Sequence, residues 1–418
     1  MQTMTHTKEP LIQVGILFEP RIEFVLYTPF HTDGEEDDVR GQQAVRCERG
    51  KVCWRDRLYD ELLFIPVDEA VASFELLDVT IGINFHWQRK EDQRFRGALK
   101  FIVEDDKLTA VNLVRTEEYL ASVISSEMSA NASPELLKAH AIISRSWLMR
   151  NLSAHTRYNV CADDHCQRYQ GITRATTDRV RQAVDETRGK VLTCDGEICD
   201  ARYSKCCGGV MEEFQYAWED VPHAYLKGKR DSLLLSSLPD LMQEAEAERW
   251  IRSAPEAFCH TADRQVLEQV LNSYDQETVH FFRWQVAYTQ AELADLIRQR
   301  SGTDYGGIVD LIPVARGTSG RIWQLRIVGT KCTQVIGKEL TIRRTLSASH
   351  LYSSAFIVDK EGTTPDGLPA RFLLTGAGWG HGVGLCQIGA AVMSERGYDY
   401  EQILLHYYTG AQIESLYE

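Results

Sequence analysis

The chain has 418 residues, 44% of them hydrophobic and 25% charged, with 46 Lys and Arg against 60 Asp and Glu for a formal net charge of -14. That is an ordinary globular composition; it excludes a disordered chain, a fibre and a small scaffold held by cysteines alone, and at roughly 100–200 residues per domain the length allows several domains. A global negative field repels polyphosphate and argues against sequence-independent nucleic-acid binding, and no apolar run, Leu233–Leu238 included, approaches the roughly 20 residues that span a bilayer.

The opening stretch MQTMTHTKEPLIQVGIL has no basic n-region, apolar h-region or cleavage site, so no signal peptide is visible in it. Residues 1–94 read as a mostly β region. Ile12–Leu17, Glu23–Tyr27 and Phe74–Leu77 are short and rich in β-formers, and Gly34–Asp38 is an acidic turn. Residues 95–229 begin with strands at Ala98–Val103 and Lys107–Arg115. The period then changes, and Tyr119, Leu120, Val123 and Ile124 predict a helix over Glu117–Met128. Ser133-Pro134 is an N-cap followed by proline at the first helical position, opening a helix that runs to about Leu152. A third helix is expected at Thr177–Thr187, then a hairpin turning at Asp195-Gly196. Residues 230–350 read as an inserted α+β subdomain. It has a capping box at Thr289–Glu292 and two strands joined by Gly317–Gly320. Residues 351–418 supply a strand at Ala370–Leu374, a glycine-rich loop, a helix ending near Gly397 and a last helix Tyr400–Tyr408 stopped by Gly410. The expected fold is therefore α+β: a mixed β-sheet core with a few packed helices and an inserted subdomain.

Three segments can carry chemistry. Glu127 extends the apolar row Tyr119–Val123 by four residues, which desolvates a carboxyl and suits it to general-acid work. The alternative is a helix-end glutamate that binds nearby backbone N–H groups. The loop Cys161-Ala-Asp-Asp-His165-Cys166-Gln-Arg-Tyr169 offers thiolate and imidazole donors that suit zinc, and Cys206-Cys207 can supply a fourth from a distant part of the chain; a disulfide, or free thiols with a surface histidine, is the alternative. In Gly376–Gly384, glycine recurs at every second position, which matches neither the dinucleotide fingerprint nor a Walker loop. It permits close approach of a flat ligand or of another backbone. Trp379 can stack on a sugar ring, and His381 and Gln387 can hydrogen-bond hydroxyls. Of the 11 cysteines, an odd number, Cys47, Cys53, Cys259, Cys332 and Cys386 read as packed thiols, while Cys194/Cys199 and Cys206/Cys207 are clustered. A cysteine hydrolase built on Cys386 or Cys206 with His381 or His165 finds no orienting acid in the sequence.

Five motifs in order resemble the stage II sporulation protein D family (SpoIID/LytB). They are Glu117-Glu-Tyr-Leu120 with Ser126-Glu-Met128, Pro134–Arg145, Cys161–Tyr169, Tyr203-Ser-Lys-Cys-Cys-Gly-Gly209 and Gly378–Ala390. The resemblance covers most of residues 95–418. It implies a lytic transglycosylase that cleaves the MurNAc–GlcNAc bond of peptide-denuded peptidoglycan and leaves 1,6-anhydro ends, with Glu127 as the acid; the alternative it implies is a non-catalytic enhancer of a cell-wall amidase. Glycan contacts fall on Ser126, Lys138, Arg145, Gln167 and Tyr169 in the first part of the chain. In the second part they fall on Tyr203, Ser204, Trp379, His381 and Gln387. The resemblance also implies a structural zinc on Cys161 and His165, with Cys166 and Cys206 completing the set, and a location in the cell envelope or periplasm. Three departures stand out: His140 replaces the usual glutamine, bearing on a glycan contact; Cys206-Cys207 replaces smaller residues, which adds a metal ligand or a redox-sensitive pair; and no signal peptide is visible, although the implied substrate lies outside the cytoplasmic membrane.

Overall fold

A computed structural model describes residues 8–82, 88–129, 131–163, 165–173, 177–233, 237–271 and 279–417, so residues 1–7, 164 and 234–236 of the stretches read above lie outside it. The fold is α+β. Its contacts divide the chain into two units, one of residues 1–200 with 413–418 and the other of residues 201–412. The expected insertion, 230–350, lies wholly within the second.

In the first unit the main sheet runs in the order Val160–Cys161, Leu11–Glu19, Lys107–Arg115, Ala98–Glu104, Leu62–Pro66, Arg21–Thr32, Val39–Glu48, Lys51–Trp54 and Arg57–Tyr59. Phe74–Ile81 pairs both Arg21–Thr32 and Arg89–Phe95. Side chains alternate along a strand, so Ile22, Phe24 and Leu26 share one buried face. Phe24 packs at 5.0 Å on Phe101 and 5.3 Å on Phe64, which in turn meets Trp54 edge-on at 5.3 Å. Each such ring contributes roughly 1.5–3 kcal/mol by leaving water.

Three helices follow: α1 (Thr116–Glu127), α2 (Pro134–Arg150) and α3 (Asp178–Glu186). Ser133 occupies the N-cap of α2 as expected, though its side chain does not cap. Helices α1 and α2 are buried on nearly every face, which leaves their hydroxyls no water to bind. Ser125 and Ser126 instead donate to the carbonyls of Ala121 and Ser122, at 2.9 and 2.8 Å. A buried ion pair ties the two helices. Arg145 Nη2 lies 2.5 Å from Glu117 Oε2 and Nε 3.1 Å from Oε1, while Nη1 donates to the Lys190 carbonyl at 2.9 Å. Tyr417 Oη, returning with residues 413–418, donates to Glu117 Oε1 at 2.6 Å. The hairpin turns at Asp195 and Gly196 with φ of 51° and 78°, as a type I′ turn requires.

The second unit holds a sheet of Arg283–Thr289, Pro369–Ala377 and Phe356–Thr363, and another of Ile308–Arg316, Ile322–Gly329 and Thr333–Ile336. Both pack around Trp284, Leu293, Ile297, Leu325 and Phe356. Thr289 and Glu292 form the predicted capping box, and Asp399 with Gln402 forms a second that opens Tyr400–Tyr407. A short parallel pair joins Tyr203–Ser204 to Leu385–Cys386. No helix among the described residues is long and apolar enough to cross a membrane.

Candidate active site and metal centre

Glu127 is the last residue of α1 and is half-buried, whereas Tyr119 and Val123 on the same row are fully buried. The segment that follows Cys166 closes over it. Arg168 N–H donates to Glu127 Oε1 at 3.2 Å, and Gln170 N–H donates to Ser126 Oγ at 3.3 Å. Glu127 thus takes a backbone N–H at the end of its helix, on the same row as Tyr119 and Val123. The segment is anchored from beneath by a stack of rings. Tyr169 lies 5.0 Å from Tyr119 and 5.6 Å from Phe95, and its hydroxyl donates to Asn112 Oδ1 at 2.6 Å. Burial pushes both tyrosine hydroxyls up, so they stay protonated donors. Arg168 and Gln170 line a cavity of about 410 Å³ together with Phe18, Ile81 and Cys161.

Several residues expected at the glycan are occupied inside the protein. Gln167 is 1% exposed, accepts from Tyr119 Oη at 3.2 Å and donates to the Ser144 carbonyl, so with Tyr169 it supports the loop. Arg145 is committed to Glu117 and Lys190, and Lys138 sits 3.0 Å from Glu135 and 2.7 Å from Glu186. His140 is buried too, with Nδ1 3.1 Å from Ser144 Oγ, so the glutamine-to-histidine departure acts within the helix pair. Hydrogen-bond capacity spent on the interior is not available to a ligand.

The loop also gathers a donor set. His155, Cys161, His165 and Cys166 bring one atom each to within 4.8 Å of the others. Cys166 Sγ is 3.6 Å from His155 Nε2 and 3.6 Å from His165 Nδ1, and Cys161 Sγ is 4.0 Å from His165 Nδ1. Bonds of about 2.3 Å to sulfur and 2.0 Å to nitrogen give tetrahedral edges of roughly 3.5–3.8 Å, so the set can hold a metal ion. A hydrogen bond from Cys166 pulls the Cys161 thiol down to about 5, against burial, and pushes Cys166 up. The fourth donor is His155 rather than Cys206, which belongs to the second unit. His155 precedes Cys161 by six residues and lies outside the Cys161–Tyr169 loop read from the sequence.

In the second unit the glycine run has a different purpose from ligand approach. Gly378, Gly380, Gly382 and Gly384 have φ of 76°, 89°, 76° and 71°. A methyl group on Gly382 would strike the Arg321 guanidinium, and one on Gly384 the Arg202 carbonyl. The second alternative, close approach of the protein's own chain, accounts for these glycines. Gly384→Ala should therefore lower stability by about 1–3 kcal/mol, visible as a lower thermal midpoint. His381 accepts from Val383 N–H on Nδ1 at 3.0 Å, so its proton sits on Nε2, and its ring packs edge-on against Trp218 at 4.7 Å. Burial, then Arg202 and Arg321, hold it well below the usual histidine range, so it is neutral. Gln387 is buried at the start of the helix Gln387–Glu395. Ser204 Oγ is buried without a hydrogen-bond partner among the described residues, and Tyr203 is half-buried beside it. Trp379 is half-buried, with Tyr352 at 4.4 Å and Phe281 at 4.7 Å. With Trp284, Tyr352 and Arg252 it lines a cavity of about 560 Å³. Ring faces with polar groups at their edges are a suitable lining for sugar rings.

Residues 104–194 match the model of the stage II sporulation protein family, and residues 212–384 match a domain of unknown function, DUF8618. The chain is 25% identical over 322 residues to an uncharacterised protein of Brachyspira hyodysenteriae (strain ATCC 49526 / WA1), covering 76% of this chain and 72% of that one. It is 25% identical over 311 residues to the amidase enhancer of Bacillus subtilis (strain 168), covering 71% of this chain but 40% of the enhancer. It is 23% identical over 321 residues to stage II sporulation protein D of the same organism, covering 73% and 76%.

Proposed function

The chain carries the SpoIID domain of the stage II sporulation proteins over residues 104–194, and on that premise we propose that it is a lytic transglycosylase of the cell envelope acting on peptidoglycan glycan strands. The observation that supports this reading best is Glu127, a half-buried acid at the end of α1 to which the loop backbone donates at 3.2 Å. In the reaction, the protonated carboxyl of Glu127 gives its proton to the bridging oxygen as the bond from muramic C1 to that oxygen breaks. The muramic 6-hydroxyl attacks C1, closes the 1,6-anhydro ring and loses its proton to the Glu127 carboxylate. The acid is regenerated and no water is consumed. Ordinary glycosidases use two carboxylates; an internal hydroxyl as nucleophile dispenses with the second. The Arg168 N–H stabilises the carboxylate that exists between the two transfers. Mass spectrometry of the products from amidase-treated peptidoglycan tests the reading. A 1,6-anhydro end supports it, and a reducing end or no cleavage refutes it.

The relative named an amidase enhancer favours a second reading. In it the protein binds denuded glycan, through surfaces such as the one at Trp379, and stimulates a cell-wall amidase without cleaving glycan itself.

The donor set His155, Cys161, His165 and Cys166 fits zinc. Thiolate and imidazole are its preferred ligands, and four protein donors leave no open position for water, so the ion would fix the loop. It would hold Arg168 and Gln170 in register with Glu127 and Ser126. Exchanging Cys161 and Cys166 together for serine should remove one zinc equivalent per chain by elemental analysis and sharply reduce glycan cleavage. Unchanged zinc content in that variant counts against the assignment.

A further inference from the structure

A second set of soft donors lies in the other unit. We propose that Cys207, Cys259, Cys386 and Asp231 form a closed, buried site for a thiophilic divalent ion of the zinc type. One atom from each comes within 4.8 Å of all the others, and all four residues are buried. Cys207 Sγ is 3.5 Å from Cys259 Sγ and 3.5 Å from Asp231 Oδ2. The sulfur separation is close to the roughly 3.8 Å edge of a thiolate tetrahedron around zinc and far from the roughly 2.05 Å of a disulfide bond.

The surroundings suit an ion better than four neutral groups. Cys386 is the N-cap of the helix Gln387–Glu395, and its sulfur accepts from Cys207 N–H at 3.2 Å. Both features stabilise a thiolate. Asp231 is oriented from both sides. Oδ1 accepts from Tyr407 Oη at 2.9 Å and lies 3.5 Å from His406 Nε2, while Oδ2 faces the sulfurs and accepts from Cys259 N–H at 3.0 Å. Such outer partners fix ligand geometry in metal sites. The backbone that presents Cys207 is clamped as well: Arg321 Nη1 donates to the Cys207 carbonyl at 3.1 Å and Nη2 to the Cys206 carbonyl at 3.3 Å. Three thiolates and a carboxylate around a divalent ion carry net negative charge. The half-buried guanidinium of Arg283, which interacts with Cys206, Cys207 and Cys259, is placed to offset it. Unlike the loop set around Cys161, these donors come from four separate stretches of the second unit, so the ion would join them all. With no exposed ligand and no open coordination position, its role is to hold that unit together.

Zinc content of the full chain purified without chelator tests the site. Asp231→Asn keeps shape but removes the carboxylate, and it should lower zinc by one equivalent per chain. The Cys161→Ser/Cys166→Ser variant should still hold one equivalent, and cobalt loaded in its place should give the intense visible and near-ultraviolet bands of a tetrahedral thiolate complex. Those results separate this site from the one at Cys161. Zinc content in Asp231→Asn equal to wild type overturns the proposal. So does a zinc-free Cys161→Ser/Cys166→Ser protein that remains folded by circular dichroism. Should a variant not fold, non-reducing peptide mapping of the wild type decides: free thiols at Cys207, Cys259 and Cys386 after denaturation in chelator support the site, and a Cys207–Cys259 disulfide overturns it.

Discussion

Glu127→Gln should abolish the release of anhydro-muramic products from denuded glycan, a loss of at least about 10²–10⁴-fold, the usual contribution of a positioned acid–base group. The amide retains an oxygen to accept the Arg168 N–H, so the loop should stay closed and the thermal midpoint should stay within a degree or two of wild type. It cannot give a proton to the bridging oxygen or take one from the 6-hydroxyl, and both transfers are lost together. Product analysis by mass spectrometry reads the result. Cleavage by the variant at wild-type rate would eliminate the lytic reading. A variant that cleaves nothing, beside a wild type that also cleaves nothing but accelerates an added amidase, would select the enhancer reading instead.

Arg145→Met should be the most destabilising single change in the first unit. The guanidinium is completely buried, and its removal leaves the Glu117 carboxylate, 7% exposed, with Tyr417 and the Gly189 N–H as its remaining partners. Breaking one side of a buried pair costs about 3–5 kcal/mol, which for a unit of this size lowers the melting temperature by about 6–20 °C. Replacing both partners, as Glu117→Gln with Arg145→Met, should recover part of the loss because no buried charge is left uncompensated. A melt of Arg145→Met that overlays wild type would show that the pair adds nothing.

These two residues also show where the sequence was informative. The helices could be read because local rules govern them. The 3.6-residue period placed α1, a proline placed the start of α2, and a capping box placed Gln290–Ser301. The Asp195-Gly196 turn followed from the same kind of local rule. Tertiary choices could not be read. Arg145 and Glu117 sit in two of the motifs that carry the family likeness, and spacing could not show that they bind each other across 28 residues rather than a ligand. His155 was overlooked because only the folded loop brings it back to Cys161 and Cys166. Cys259 and Cys386 passed as packed thiols, since nothing in a linear pattern reports that residues 207, 231, 259 and 386 converge. The alternating glycines were legible as close approach, and only the structure identified the approaching atoms as Arg321 and Arg202.

The hydrogen bond from Tyr417 to Glu117 links positions 300 apart in sequence. On the ribosome, the first 200 residues emerge with this acceptor in place and its last donor not yet made. At about 5–20 residues per second the remaining stretch takes roughly 10–40 s to synthesise. During that interval the nascent first unit holds its central charged pair one donor short, until residues 413–417 join it.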